Sequence, residues 1–323
     1  MLPKKILICS LGSIGRYYLR LIKTNWPNIE VAVHRSGFGP DCKELQDADV
    51  VFYSKDEAVK WKPCACIISS PASLHLEQAL YFASYDIPLL IEKPLGTGLE
   101  NQNKWNDLIR FNKRLPIFVG YILRSHPCAK YLKQQLNDNN IGEIVDADFY
   151  CGSWLPNWRS EQDYRNSVSS KKELGGGVLL EVSHEIDLAI WLLGNIKVIS
   201  SCIKESNLLN IDVEDRALIL GSNDKDSLIT IRLNFCSRPD RRLTTIRGTN
   251  GEFVWDILNG KLKSNFCDKE NEIYEYSPKK DAIFKNQLED FFQAIKGSKC
   301  SLCSLEEGLS ALKLITICQR ASK

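Results

Sequence analysis

Six short apolar runs, KILICS, EVAVH, DVVFYS, CACIISS, PLLIEKP and PIFVGY, punctuate residues 1–120. They are mostly continuous apolar runs, which is what parallel strands covered on both faces require. Between them, GRYYLRLIKTNW and SLHLEQALYFASY place apolar residues at three-and-four spacing, and Pro27 and Pro88 mark helix ends. Parallel strands need crossover connections, and helices supply them. The expected fold of this part is therefore α/β, a doubly wound parallel sheet.

After Tyr121 the pattern changes. A helix is expected around AKYLKQQL, then the alternating strand EIVDADFYCGS and a long polar and aromatic stretch to Lys172. A glycine run then opens what reads as one helix, GGGVLLEVSHEIDLAIWLLG. Six strands follow: RALILGS, SLITIRLNF, LTTIRGT, GEFVWDIL, KLKSNF and EIYEYS, with tight turns expected at Asn250-Gly251 and Asn259-Gly260. FKNQLEDFFQAIKG and SLEEGLSALKLITICQRA read as closing helices. Residues 121–323 are thus expected to form a second, α+β domain with a large, mostly antiparallel open sheet. A length of 323 residues suits two domains, because single cores rarely exceed roughly 250–300 residues.

Composition narrows the classes. Hydrophobic residues make up 44% and charged residues 25%, with a formal net charge of +2. That balance gives no electrostatic case for nucleic acid or an anionic membrane surface, and no apolar run approaches the ~20 residues of a membrane span. MLPKKILICSLG is basic then apolar, but its glycines fit a strand-turn-helix better than a signal peptide. Among the twelve cysteines, Cys9, Cys64 and Cys66 fall in runs expected to be buried strands and Cys318 in an apolar helix. They read as core thiols, which points to a reducing cytoplasm. Cys300 and Cys303 form a lone CxxC with no second pair or histidine nearby.

The run ICSLGSIGRYYLR follows the first strand and opens a helix. Read as G-x-G-x-x-G, the frame falls on Ser10, Leu11, Gly12, Ser13, Ile14 and Gly15, with serine in the first glycine's place. Gly12 keeps the role that lets backbone approach a pyrophosphate, and Gly15 the role that lets helix pack on strand. The acid that would hold an adenosine ribose is expected at the end of the second strand, but Arg35 and Ser36 stand there. A guanidinium and a hydroxyl attract a 2′-phosphate, which favours NADP(H), with NAD(H) the alternative. A solvated loop arginine is the competing reading.

Of four histidines, His75 follows Ser70-Pro71 after the fourth strand, and His184 lies in LLEVSHEIDLAIW. Helical spacing places Glu181, His184 and Asp187 on one stripe, so either carboxylate could orient the imidazole as a general base requires. Lys93, in IEKPLG, follows the fifth strand at the carboxyl edge where open sheets bind ligands, with Glu92 placed to help position it.

These motifs in order, GSIG, SSPxxxH, EKPLG, GYILRSHP and GGGVLLEVSHEID, resemble the Gfo/Idh/MocA oxidoreductases, the glucose-fructose oxidoreductase and inositol dehydrogenase family. The resemblance covers nearly the whole chain and is closest in character to members of bacterial surface-polysaccharide pathways. It implies hydride exchange between a nicotinamide and a secondary alcohol of a sugar or sugar derivative. Lys93 would be the lysine of E-K-P and His184 the helix histidine, with Asp187 or Glu181 as partner. The implied cofactor contacts are Ser10, Gly12, Ser13, Ile14, Gly15, Arg35, Ser36, Ser70, Pro71, His75, Glu92 and Lys93. Substrate contacts are expected from Tyr121, Arg124, Trp158, Arg159, Tyr164 and Arg165, and a homo-oligomer, dimer or tetramer, through the open sheet. The chain departs from the family in two respects: the usual aspartate four residues before the histidine is Leu180, and Ser10 replaces the first glycine of the phosphate turn. A non-catalytic dinucleotide sensor, or a reductase of a bilin or dihydrodiol type of ligand, remains the alternative.

Overall fold

The computed structural model describes residues 2–37, 42–159, 163–276 and 279–321. The chain divides into two units, Met1–Tyr121 with Phe284–Gly308, and Ile122–Ile283 with Leu309–Lys323.

In the first unit the strands are β1 (Lys5–Cys9), β2 (Glu30–His34), β3 (Val50–Phe52), β4 (Ala65–Ile68), β5 (Leu89–Ile91) and β6 (Ile117–Val119). All six are parallel to their neighbours in this set. Their helices are α1 (Ser13–Asn25), α2 (Lys55–Lys60), α3 (His75–Ala83) and α4 (Gln102–Asn112). Ile6, Leu7, Ile8 and Cys9 of β1 are fully buried, because helices cover both faces of a parallel sheet. On α1 the apolar stripe Tyr18, Leu19, Leu21 and Ile22 supplies the buried face. Strand order runs β6-β5-β4-β1-β2-β3, so the winding reverses beside β1. Ligands of open α/β sheets bind at that reversal, beyond the carboxyl ends of the strands.

The second unit holds α5 (Pro127–Asn137), β7 (Ile144–Trp154), α6 (Val178–Glu181), α7 (His184–Leu193), β8 (Ile196–Lys204), β9 (Arg216–Asn223), β10 (Leu228–Asn234), β11 (Cys236–Gly248), β12 (Gly251–Asp256), β13 (Lys261–Phe266) and β14 (Glu272–Glu275). The eight strands form one sheet, β14-β13-β12-β11-β7-β10-β9-β8, antiparallel except for the β7–β10 pair. Alternation sets its two faces. Ala217, Ile219, Ile229 and Ile231 are buried, while Leu218, Leu220 and Leu228 on the opposite face are exposed. The chain then returns through α8 (Lys280–Ala294), β15 (Cys303–Ser304) and α9 (Leu305–Ala321). β15 joins the first sheet as an antiparallel edge beside β6.

The architecture agrees with the α/β and α+β reading, and four details differ. The segment read as one helix from the glycine run to Gly194 is two, α6 and α7, broken at Val182 and Ser183. β8 and the two-residue β15 were absent from the sequence reading, as were α2 and α4. The first hairpin turns at Thr249-Asn250, one residue earlier than expected, whereas Gly260 does take the left-handed conformation at φ +62°. Cys64 is exposed just ahead of β4, while Cys9 and Cys66 are buried as expected.

His126 precedes α5 and caps it: its Nδ1 accepts the Cys128 backbone N–H at 3.1 Å, and the ring packs 5.1 Å from Trp255. Burial, followed by the charge of Arg242, lowers its pKa from 6.5 to about 4. An imidazole that is neutral when folded binds its proton first in the unfolded chain. Its stabilising contribution is therefore complete above about pH 6.5 and is lost as pH falls towards 4. The loss from this group is at most about 3 kcal/mol. Urea unfolding across that window should show stability falling with pH, and His126→Asn, which keeps a cap, should flatten the slope. A slope unchanged by the substitution would contradict this role.

Candidate active site

The turn between β1 and α1 is built on a serine in a glycine-like conformation. Ser10 has φ +76°, a left-handed backbone that costs a non-glycine residue about 1–3 kcal/mol. Its N–H donates to His34 O at 2.9 Å, which brings the end of β2 beside the turn. Ser69, at the end of β4, braces the other side; its hydroxyl lies 3.0 Å from Cys9 O and 3.1 Å from Ser10 O. The two glycines differ in what surrounds them. A Cβ on Gly15 would collide with the Ser10 carbonyl and the Ser69 hydroxyl, so that glycine is required by packing. A Cβ on Gly12 would meet nothing nearer than Ser69 O at 3.9 Å. The protein does not need a glycine there, but a ligand approaching the backbone would. The N-cap residue of α1 is Gly12, which has no side chain to cap it, and no acid lies in the helix's first turn, so the backbone at Ser13, Ile14 and Gly15 opens an anion site. These residues fit a dinucleotide pyrophosphate.

Arg35 follows β2 and is buried, with 7% of its surface exposed, while Ser36 is exposed. It is not a solvated loop arginine. Ser70 donates its hydroxyl to Gln78 Oε1 at 2.7 Å, and Pro71 starts the turn into α3. His75 is buried with a carbonyl at each ring nitrogen, Pro94 O 2.9 Å from Nδ1 and Ser70 O 2.8 Å from Nε2. It ties the Ser70-Pro71 turn to the Lys93-Pro94 turn, whose peptide bond is cis. Burial outweighs those two acceptors and brings its pKa down to about 4. Lys93 follows β5 and is half-buried. Its backbone N–H donates to Glu92 Oε2 at 3.2 Å. Tyr121, expected to touch substrate, is buried at the end of this unit.

In the second unit His184 is the first residue of α7, directly after Ser183 at the N-cap position. Asp187 lies one turn further along the same helix and is fully buried. Arg124 grips it through two bonds, Nε to Oδ2 at 3.0 Å and Nη2 to Oδ1 at 2.6 Å. The Arg124 guanidinium, expected to meet substrate, is itself 1% exposed and serves to hold α7. Glu181 falls on the separate α6 and accepts from Ser169 Oγ at 2.8 Å. The helix break therefore removes Glu181 from the stripe, and His184 and Asp187 remain on it. Glu185, next along α7, pairs with Arg242 of β11 at 2.5 Å and fastens the helix to the sheet. The sequence reading did not pick out that pair.

Of the residues expected to face a sugar, Trp158 is 37% exposed, and its indole N–H donates to Ser153 Oγ at 2.7 Å. Arg159 is exposed. Tyr164 donates its hydroxyl to Leu209 O at 2.8 Å, and Arg165 pairs with Asp163 at 2.9 Å.

A glycine turn at the reversal of a parallel sheet, followed by a large, mostly antiparallel sheet, defines a dinucleotide-binding α/β chain with a second α+β unit. The chain belongs to the Gfo/Idh/MocA oxidoreductase family: the model of that family's C-terminal alpha/beta domain matches residues 133–323. The rhizopine catabolism protein MocA of Rhizobium meliloti is 25% identical over 258 residues, 77% of this chain and 72% of its own. Levoglucosan dehydrogenase of Pseudarthrobacter phenanthrenivorans is 26% identical over 191 residues, 57% of this chain and 46% of its own. A levoglucosan dehydrogenase structure in complex with NADH matches with a TM-score of 0.85 at 15% identity, over 98% of this chain and 96% of that one.

Proposed function

We propose that the protein exchanges a hydride between a nicotinamide dinucleotide and a secondary alcohol carbon of a sugar or sugar derivative. The observation that carries this is the Ser10–Gly15 turn, where Gly15 answers to packing and Gly12 only to an approaching ligand. Family membership supports the redox class, and the sugar named for levoglucosan dehydrogenase supports the substrate class.

When bound, the nicotinamide supplies the chemistry by taking or giving a hydride at its C4. In the oxidising direction the carbinol C–H pair leaves as hydride, the hydroxyl proton passes to His184, and the C–O bond becomes C=O. Lys93 donates a hydrogen bond to the oxygen while it carries developing negative charge. Asp187 is the better candidate to orient His184, because it shares that helix and Glu181 does not. A mixture of protein, sugar and oxidised dinucleotide should develop the absorbance of reduced nicotinamide. Its absence across free sugars, anhydrosugars and sugar phosphates with both dinucleotides would overturn the reading.

We further propose NADP(H) as the preferred cofactor, on the strength of a buried guanidinium where a ribose-binding acid is usual. Arg35→Asp should remove a charge-assisted contact, weakening NADPH by about 1.5–3 kcal/mol and reversing the order against NADH. Fluorescence titrations giving equal affinities, unchanged by the substitution, would reject that preference.

A further inference from the structure

A buried chain of polar groups runs through the first unit behind Lys93. Tyr18, on α1, is fully buried, and its hydroxyl lies 2.5 Å from Glu92 Oε1. The same hydroxyl lies 2.9 Å from the side-chain amide of Gln287, which α8 brings back from 269 residues further along the chain. Glu92 folds its other oxygen, Oε2, onto the Lys93 backbone N–H. Gly120 closes the space on the far side, since a Cβ there would lie 2.9 Å from Glu92 Oε1.

Proton counting fixes the direction of this chain. A phenol has one hydrogen and cannot donate to a carboxylate and an amide oxygen together. With the Gln287 oxygen towards Tyr18, its Nε2 is buried without an acceptor, a costly arrangement. Turning the amide over, an exchange of atoms that are nearly indistinguishable in shape, removes the conflict at the phenol and gives one Nε2 hydrogen an acceptor. Gln287 then donates to Tyr18, Tyr18 donates to an ionised Glu92, and Glu92 also accepts from Lys93 N–H. Burial, and then the Glu92 charge, push the Tyr18 phenol well above its usual range, so the hydroxyl keeps its proton.

We propose that Tyr18 and Gln287 are positioning residues for Lys93, acting through the Glu92 carboxylate that receives the lysine's backbone N–H. The helix that opens at the pyrophosphate turn reaches that carboxylate through Tyr18, and the helix that returns from the far end of the chain holds the Tyr18 hydroxyl through Gln287. The placement of Lys93 therefore depends on both. This rests on the reading of Lys93 as the group that holds the substrate oxygen.

The test uses the full chain with Tyr18→Phe and Gln287→Leu, each close in shape to the native side chain. In amide hydrogen exchange followed by NMR, the Lys93 N–H should exchange about tenfold faster in both variants, while the amides of β1 and β4 keep their rates. In the unaltered protein, the Gln287 side-chain amide protons should show a through-space signal to the Tyr18 ring. With levoglucosan and NADP⁺ or NAD⁺ as the probe, turnover should fall about tenfold while KM and dinucleotide affinity stay within about twofold. An unchanged Lys93 exchange rate, uniform acceleration of every amide in the unit, or no Gln287–Tyr18 signal in the unaltered protein would each overturn the proposal. Unaltered protein that fails to turn over levoglucosan argues against the substrate reading alone, because the exchange and through-space measurements need no substrate.

Discussion

Replacing His184 by alanine is expected to lower turnover by about 10²–10⁴-fold, the usual contribution of a general acid or base, while dinucleotide affinity holds. The structure separates this from a stability effect. α7 is fastened independently of the imidazole, by the Arg124–Asp187 and Glu185–Arg242 pairs. His184→Ala should therefore melt close to the parent protein. Lys93→Ala should lose turnover in the same way, because Lys93 is half-buried and its helix-free turn is held by backbone and by Glu92. Thermal melts run beside single-turnover rates distinguish the two roles. Near-normal single-turnover rates in folded His184→Ala would remove it from the mechanism.

The second large effect is expected at the phosphate turn. Gly12→Val should abolish dinucleotide binding with little change in melting, since the protein itself leaves room for a side chain there. Gly15→Ala should do the opposite first, unsettling the fold, because its Cβ would strike the Ser10 carbonyl and the Ser69 hydroxyl. Ser10→Gly should stabilise by about 1 kcal/mol and keep binding, by relieving the left-handed strain at φ +76°. Calorimetric melts with and without NADPH check all three. Retained NADPH binding in Gly12→Val would mean that the pyrophosphate lies elsewhere.

How much of this could be read before the fold was known depends on whether a feature is local. The strands of the first sheet were legible because parallel strands buried on both faces leave continuous apolar runs, as in KILIC and ACII. β8 escaped because it is an edge strand whose nine residues are mostly exposed, with Ile199 facing outward. The helix break at Val182-Ser183 leaves no proline or glycine to announce it, so Glu181 was placed on a stripe that the backbone interrupts. Arg124 was expected to touch substrate on the resemblance of its GYILRSHP motif, and its true partner has no local signature. Its partner, Asp187, is 63 residues away. Residues 284–308 show the limit most plainly. Their helix was legible, but the return of Gln287 to Tyr18 and of Cys303 to Val119 is long-range and has no local signature. The turn at Ser10 was legible in its identity, and its left-handed backbone was not. Ser69, which braces it, was hidden beside Ser70 in the same SSP motif.

The most direct test of the account is to follow the transferred hydrogen. Sugars carrying deuterium on their carbinol carbons, levoglucosan among them, would be incubated with the protein and NADP⁺ or NAD⁺, and the reduced dinucleotide examined by mass spectrometry. The account predicts a gain of one deuterium on the nicotinamide, and none in the same time with His184→Ala or Lys93→Ala. Tight dinucleotide binding with no deuterium gained from any sugar would contradict it, and would leave a dinucleotide-sensing protein on the same fold.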